Sequence, residues 1–134
     1  MSYILHWDYN KDNPSVKFSD KFINKIKKAF ATAKENGIQV GTWEGDEFTT
    51  EPISDTVISF NGIKPNICET FKLDAIRTNK WDCCKVNNRY AILGMEILEL
   101  AKEEGVVTDW QFDDCQEGLQ HKEEWNKLFK RNSK

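Results

Sequence analysis

Tyr3, Leu5 and Trp7 alternate with Ile4, His6 and Asp8, a period of two that predicts a first β-strand. Asn10 to Pro14 is a turn cluster. The period then changes. Phe22, Ile23, Ile26, Ala29, Phe30 and Ala33 form one apolar stripe at helical spacing, with Lys25, Lys27, Lys28 and Lys34 on the other face. Ser19 or Asp20 caps this first helix, and Asn36-Gly37 stops it. Ile38, Val40 and Thr42 suggest a strand, followed by a Gly45-Asp46 turn and a short Glu47–Thr50 segment. Thr56 to Phe60 is rich in β-branched residues and predicts another strand. After Asn61-Gly62 and Pro65-Asn66, the alternation of Ile67, Glu69, Phe71 and Leu73 predicts a further one. Arg77 to Asn87 reads as a polar connection.

A second helix is expected over 88–104, with Tyr90, Ala91, Leu93, Gly94, Ile97, Leu98 and Ala101 covering a wide face. A face that wide belongs to a central helix. Gly94 within it costs about 1 kcal/mol against Ala, which a close approach to the sheet would explain. Gly105 ends the helix and Val106-Val107 starts a brief strand. Asp113 or Asp114 caps a last helix to about Arg131, with Leu119, Lys122, Trp125 and Phe129 near one face. The fold class is therefore α+β: an antiparallel sheet of four to six strands with about three helices packed mainly on one face.

Composition narrows the classes. At 134 residues, 1–134 reads as one domain with enough core to fold without staples. A net charge of −3 argues against a nucleic-acid partner. No apolar run approaches the roughly 20 residues of a membrane span. Residues 1–8 lack the basic start and long apolar core of an export signal, so a cytoplasmic location is expected. Cys68, Cys83, Cys84 and Cys115 then read as reduced thiols.

Candidate chemistry is sparse. A thiol nucleophile needs a nearby cation or a helix N-terminus. Cys84, before the second helix and near Lys85 and Arg89, meets that condition, as does Cys115 at the start of the last helix. Neither has an identifiable base, and buried structural thiols are the plainer reading. Glu117 and His121 are spaced to share a metal, but a solvated helix face is by far the plainer reading, and no cofactor or metal is implied. His6 reads as a packed strand histidine, and Lys25, Lys27 and Lys28 as a solvated face.

The exception is the stretch from Arg77 to Tyr90. Arg77, Lys80, Lys85 and Arg89 are four cations in an acidic chain, interleaved with Asn79, Asn87 and Asn88 and flanked by Trp81 and Tyr90. Arg and aromatic residues dominate protein interfaces, and a helix N-terminus attracts anions. The stretch is the expected binding site, with Arg77, Asn79, Lys80, Trp81, Lys85, Arg89 and Tyr90 as its contacts. Its expected partner is an acidic protein surface or a small anionic ligand. A non-catalytic protein-binding module, of a regulatory or toxin-neutralising type, is the favoured function. The alternatives are a small cysteine-dependent enzyme and an anion- or nucleotide-binding domain using the N-terminus of the 88–104 helix.

Over residues 56–118 the chain also resembles a family of small, uncharacterised bacterial single-domain proteins. The residues concerned are Cys68-Glu69-Thr70-Phe71, Cys84-Lys85-Val86, Tyr90, and Thr108-Asp109 with Trp110. Val86 stands where the family has Thr, Arg89 where it has Pro, and Ala91 where it has Asp. The resemblance implies an α+β domain and no particular activity.

Overall fold

The structure, a computed structural model, describes residues 2–12, 16–42, 52–64, 68–76 and 79–130. It is α+β, with strands β1 (Tyr3–Tyr9), β2 (Val57–Phe60), β3 (Phe71–Asp74), β4 (Trp81–Val86) and β5 (Val107–Phe112). The helices are α1 (Asp20–Glu35), α2 (Tyr90–Glu104) and α3 (Gln116–Leu128). The strands form two antiparallel sheets, not one. The larger has the order β4-β1-β5, and β2 pairs with β3 in the smaller.

The alternation in β1 is the organising pattern. Tyr3, Leu5, Trp7 and Tyr9 are buried and point inward. Register carries that face to Cys84 and Val86 on β4 and to Trp110 and Phe112 on β5. Inside lies α2, buried at eleven of its fifteen residues, as a helix enclosed nearly all round should be. Gly94 is where it comes closest to its neighbours. A Cβ there would stand 3.1 Å from Leu5 Cδ1 and 3.2 Å from Phe71 Cδ2, which explains the costly glycine. α1 and α3 pack on α2. Ser19 caps α1 by accepting from the Phe22 N–H, and Gly37 ends it at φ 76°. The smaller sheet joins the core through Phe71, whose ring lies 5.1 Å from Trp7 and 5.0 Å from Phe60. Buried Asn61 bridges β2 to the segment before β3, donating to the Cys68 carbonyl and accepting from the Gly62 and Cys68 N–H groups.

Several expectations are corrected. Residues 81–86 of the expected polar connection form β4, an edge strand whose outer residues Trp81, Cys83 and Lys85 face solvent. Ile38, Val40 and Thr42 form no strand; Gly41 makes a single bridge to Asn61. β5 runs on to Phe112, and the cap of α3 is Cys115, whose sulfur accepts from the Gly118 N–H at 3.4 Å. Leu119 is half exposed and does not face the core. The Gly45-Asp46 turn and the Glu47–Thr50 segment lie outside the described residues, as do Ile67, Trp43 and Arg77. Among the described residues no helix is long and apolar enough to cross a membrane.

Candidate functional site

The residues singled out between 77 and 90 separate into three groups. Trp81 and Lys85 lie on the outer face of the β4-β1-β5 sheet, four residues apart on one strand and hence about 13 Å apart. Asn79 and Lys80 are exposed at the entry to β4. Register adds Ile4, His6 and Asp8 from β1, Cys83 from β4 and Gln111 from β5 to the same face. Trp81 is 54 % exposed and Ile4 42 %. The Trp81 ring lies 5.3 Å from His6, whose Nδ1 is buried there without a hydrogen-bond partner.

Arg89 and Tyr90 belong elsewhere. Arg89 is fastened to Glu124 of α3 by both Nε and Nη2, and Nη2 also donates to the Asn36 carbonyl at 3.1 Å. This guanidinium ties three helices together. Tyr90 is buried, and its hydroxyl donates to the Glu69 carbonyl at 3.0 Å. A small hollow of about 100 Å³ lies beside Asn88, Arg89 and Tyr90 at the start of α2. Lys85 and Asp109 do not meet. They stand on opposite outer strands, opposite Ile4 and Asp8 of β1, and Asp109 pairs with Lys102 at 3.3 Å.

All four cysteines are free. Cys84 is fully buried, and burial, with Glu69 adding to it, pushes its thiol pKa far up. That removes the thiolate a nucleophile requires. Cys83 is exposed, yet its pKa is also raised, by partial desolvation and by Asp82 and Glu69. Among the described residues no group of three or more His, Cys, Asp or Glu side chains converges as a metal site.

His121 is committed to the fold. Its Nδ1 lies 2.7 Å from the Tyr3 hydroxyl, which burial keeps protonated and therefore able to donate. Burial pushes the imidazole pKa down and Arg89 adds to this, while Glu117 and Glu124 oppose it. The folded state thus prefers the neutral ring, whereas the unfolded chain takes up a proton near pH 6.5. The stability tied to the neutral ring is complete above that pH. It is lost as pH falls from there through the lowered folded value. Urea melts at pH 7, 6 and 5 should show wild type losing its advantage over His121→Asn, which keeps an acceptor but no titration. A difference constant with pH would contradict this.

A second concavity was not legible in the sequence. A groove of about 420 Å³ lies between β5, α2 and α3, lined by Asp109, Trp110, Gln111 and Phe112 with Glu99, Lys102, Lys122 and Trp125. Trp110 and Trp125 meet edge to face at 5.5 Å. Their indole N–H groups donate to Glu99 at 2.9 Å and to buried Glu96 at 3.0 Å. The lining comes from three elements that meet only in the fold. Its sequence signal is the Trp110/Phe112 alternation together with Lys122 and Trp125 three residues apart.

No protein-family model matches the chain, and no curated protein or solved structure matches it. The resemblance over 56–118 therefore rests on its few residues and brings no activity to this chain.

Proposed function

We propose that the chain is a cytosolic, non-catalytic protein-binding module whose contact surface is the open outer face of the β4-β1-β5 sheet. One observation carries this reading. Trp81, a large aromatic of the kind that anchors interfaces, stands 54 % exposed on a sheet face with no helix over it among the described residues. Ile4 and His6 extend its apolar footing, and Lys85 gives the face a cation on β4. The partner is a protein with a shallow apolar patch for Trp81 and a carboxylate opposite Lys85. Cys84, fully buried and with its thiol pKa raised by that burial, is unsuited to act as a nucleophile, which favours this reading over a Cys84-dependent enzyme. Arg89, engaged by Glu124 and Asn36, is left out of the surface.

Affinity capture from host lysate tests it, with wild type and Trp81→Ala/Lys85→Ala as baits. Wild type should retain a stoichiometric partner that the double variant loses while melting normally. A partner held equally by both baits would remove the sheet face from the account.

A further inference from the structure

The two edges of the larger sheet are treated differently. In β1, the Tyr9 N–H donates to the Lys80 carbonyl at 2.9 Å, so Trp81, Cys83 and Lys85 turn their backbone groups outward from β4. That edge is obstructed at Cys83 and Lys85. The Lys85 N–H donates to Glu69 Oε1 at 2.7 Å, the Lys85 carbonyl accepts from the Glu69 N–H at 3.1 Å, and the Cys83 N–H donates to Asp82 Oδ1 at 2.9 Å. Carboxylates so placed block further pairing.

Among the described residues the β5 edge is open. The Asp113 N–H donates to the Ile4 carbonyl at 3.2 Å, which sets the bonded pairs at Asp113, Gln111 and Asp109. Trp110 and Phe112 then turn their N–H and C=O groups away from β1. The groove lies there. Four consecutive residues, Asp109 to Phe112, line it. Consecutive strand side chains point to opposite faces, so one hollow touching all four must run along the backbone edge.

The groove holds two lysines and two carboxylates. Lys102 is paired with Asp109, and Glu99 accepts from the Trp110 indole N–H. Lys122 is held over the rings of Trp125, Phe112 and Trp110, at 5.2, 5.7 and 6.0 Å from their centroids. Among the described residues no carboxylate lies within ion-pair distance of it. A cation fixed by aromatic contacts beside an open strand edge is the complement of an extended chain carrying a carboxylate.

We propose that this groove binds an extended acidic segment of a partner protein, added as a strand to β5 with a carboxylate on Lys122. Main-chain hydrogen bonds from Trp110 and Phe112 set the segment's register, and its alternate apolar side chains rest on the half-buried Trp110 and Phe112. About four residues span the edge at ~3.3 Å each. The site shares Gln111 with the outer sheet face but not Trp81 or Lys85, so either can fail without the other.

The test is selection from a displayed library of random ten-residue peptides on the wild-type domain. The strongest peptide is then made synthetically and followed by fluorescence anisotropy and amide exchange. Enriched sequences should alternate apolar residues with Asp or Glu. Lys122→Gln should weaken binding about tenfold, Lys122→Arg should retain it, and the amides of Trp110 and Phe112 should gain protection. The proposal is overturned by a library that yields no enrichment, by enriched peptides without excess acid, or by binding indifferent to Lys122→Gln. Protection falling on β4 would overturn it as well. A wild-type dimer that buries Trp110 would overturn it in favour of a second copy.

Discussion

Phe71→Ala should cost the domain about 3–5 kcal/mol, the range for deleting a fully buried aromatic ring. Phe71 is 0 % exposed and lies between the two sheets and the central helix. It touches Trp7 of the larger sheet, Phe60 of the smaller and the gap left by Gly94. None of these neighbours has a free side on which to relax. Trp7 and Phe60 are themselves buried, and α2 is enclosed on most of its surface. The cavity therefore persists and its cost adds to the lost transfer energy. Against a typical total stability of about 5–15 kcal/mol, a single substitution removes a large share. Urea unfolding should show a lower midpoint with an unchanged slope. Ile76→Ala, two residues beyond β3 at 55 % exposure, is the control and should change stability by less than about 0.5 kcal/mol. A Phe71→Ala loss below about 1.5 kcal/mol would mean that the smaller sheet is not joined to the core through this ring.

Trp125→Ala should be comparably damaging, for a different reason. Trp125 seats α3, being one of two buried residues on that helix and the partner of Trp110 across the groove. Its indole N–H also reaches Glu96, a carboxylate on α2 that is only 5 % exposed. Truncation loses the packing, again about 3–5 kcal/mol, and takes a donor from a buried acid. Trp125→Phe separates the two effects. It keeps most of the ring and loses the N–H, so its cost should be about 1–3 kcal/mol, the usual penalty for under-satisfying a buried polar group. Equal losses for the two variants would assign the whole effect to the hydrogen bond; a harmless Trp125→Phe would assign it to packing.

What the sequence disclosed follows from where each segment faces. β1 was legible because one of its faces is buried and the other open, which leaves a strict alternation. α1 was legible for the same reason at helical period, and its Ser19 cap is a local signal. β4 was not. Of its inward residues only Cys84 and Val86 are fully covered, while Asp82 at the rim is polar, so the six residues carry too little apolar pattern to mark a strand. The division into two sheets was equally hidden. β1 pairs with β4 and β5, strands far along the chain, and no local preference encodes that choice. Among the candidate contacts, the types were informative and their placement was not. Trp81 and Lys85 share an open face because a period of two separates them by an even number. Arg89 and Tyr90, just beyond the strand, turn to α3 and to the core.

Trp81, more than half exposed and packed on His6, is the contact residue on which the proposed surface depends. The decisive measurement is the dissociation constant of the captured partner, purified, against wild type and Trp81→Ala, with a thermal melt of each. An anchor at the centre of an interface contributes at least about 2 kcal/mol, so affinity should fall roughly thirtyfold or more while the melting temperature stays nearly constant. An unchanged dissociation constant would contradict the proposed surface, and a collapse of the melting temperature would show Trp81 to be part of the fold instead.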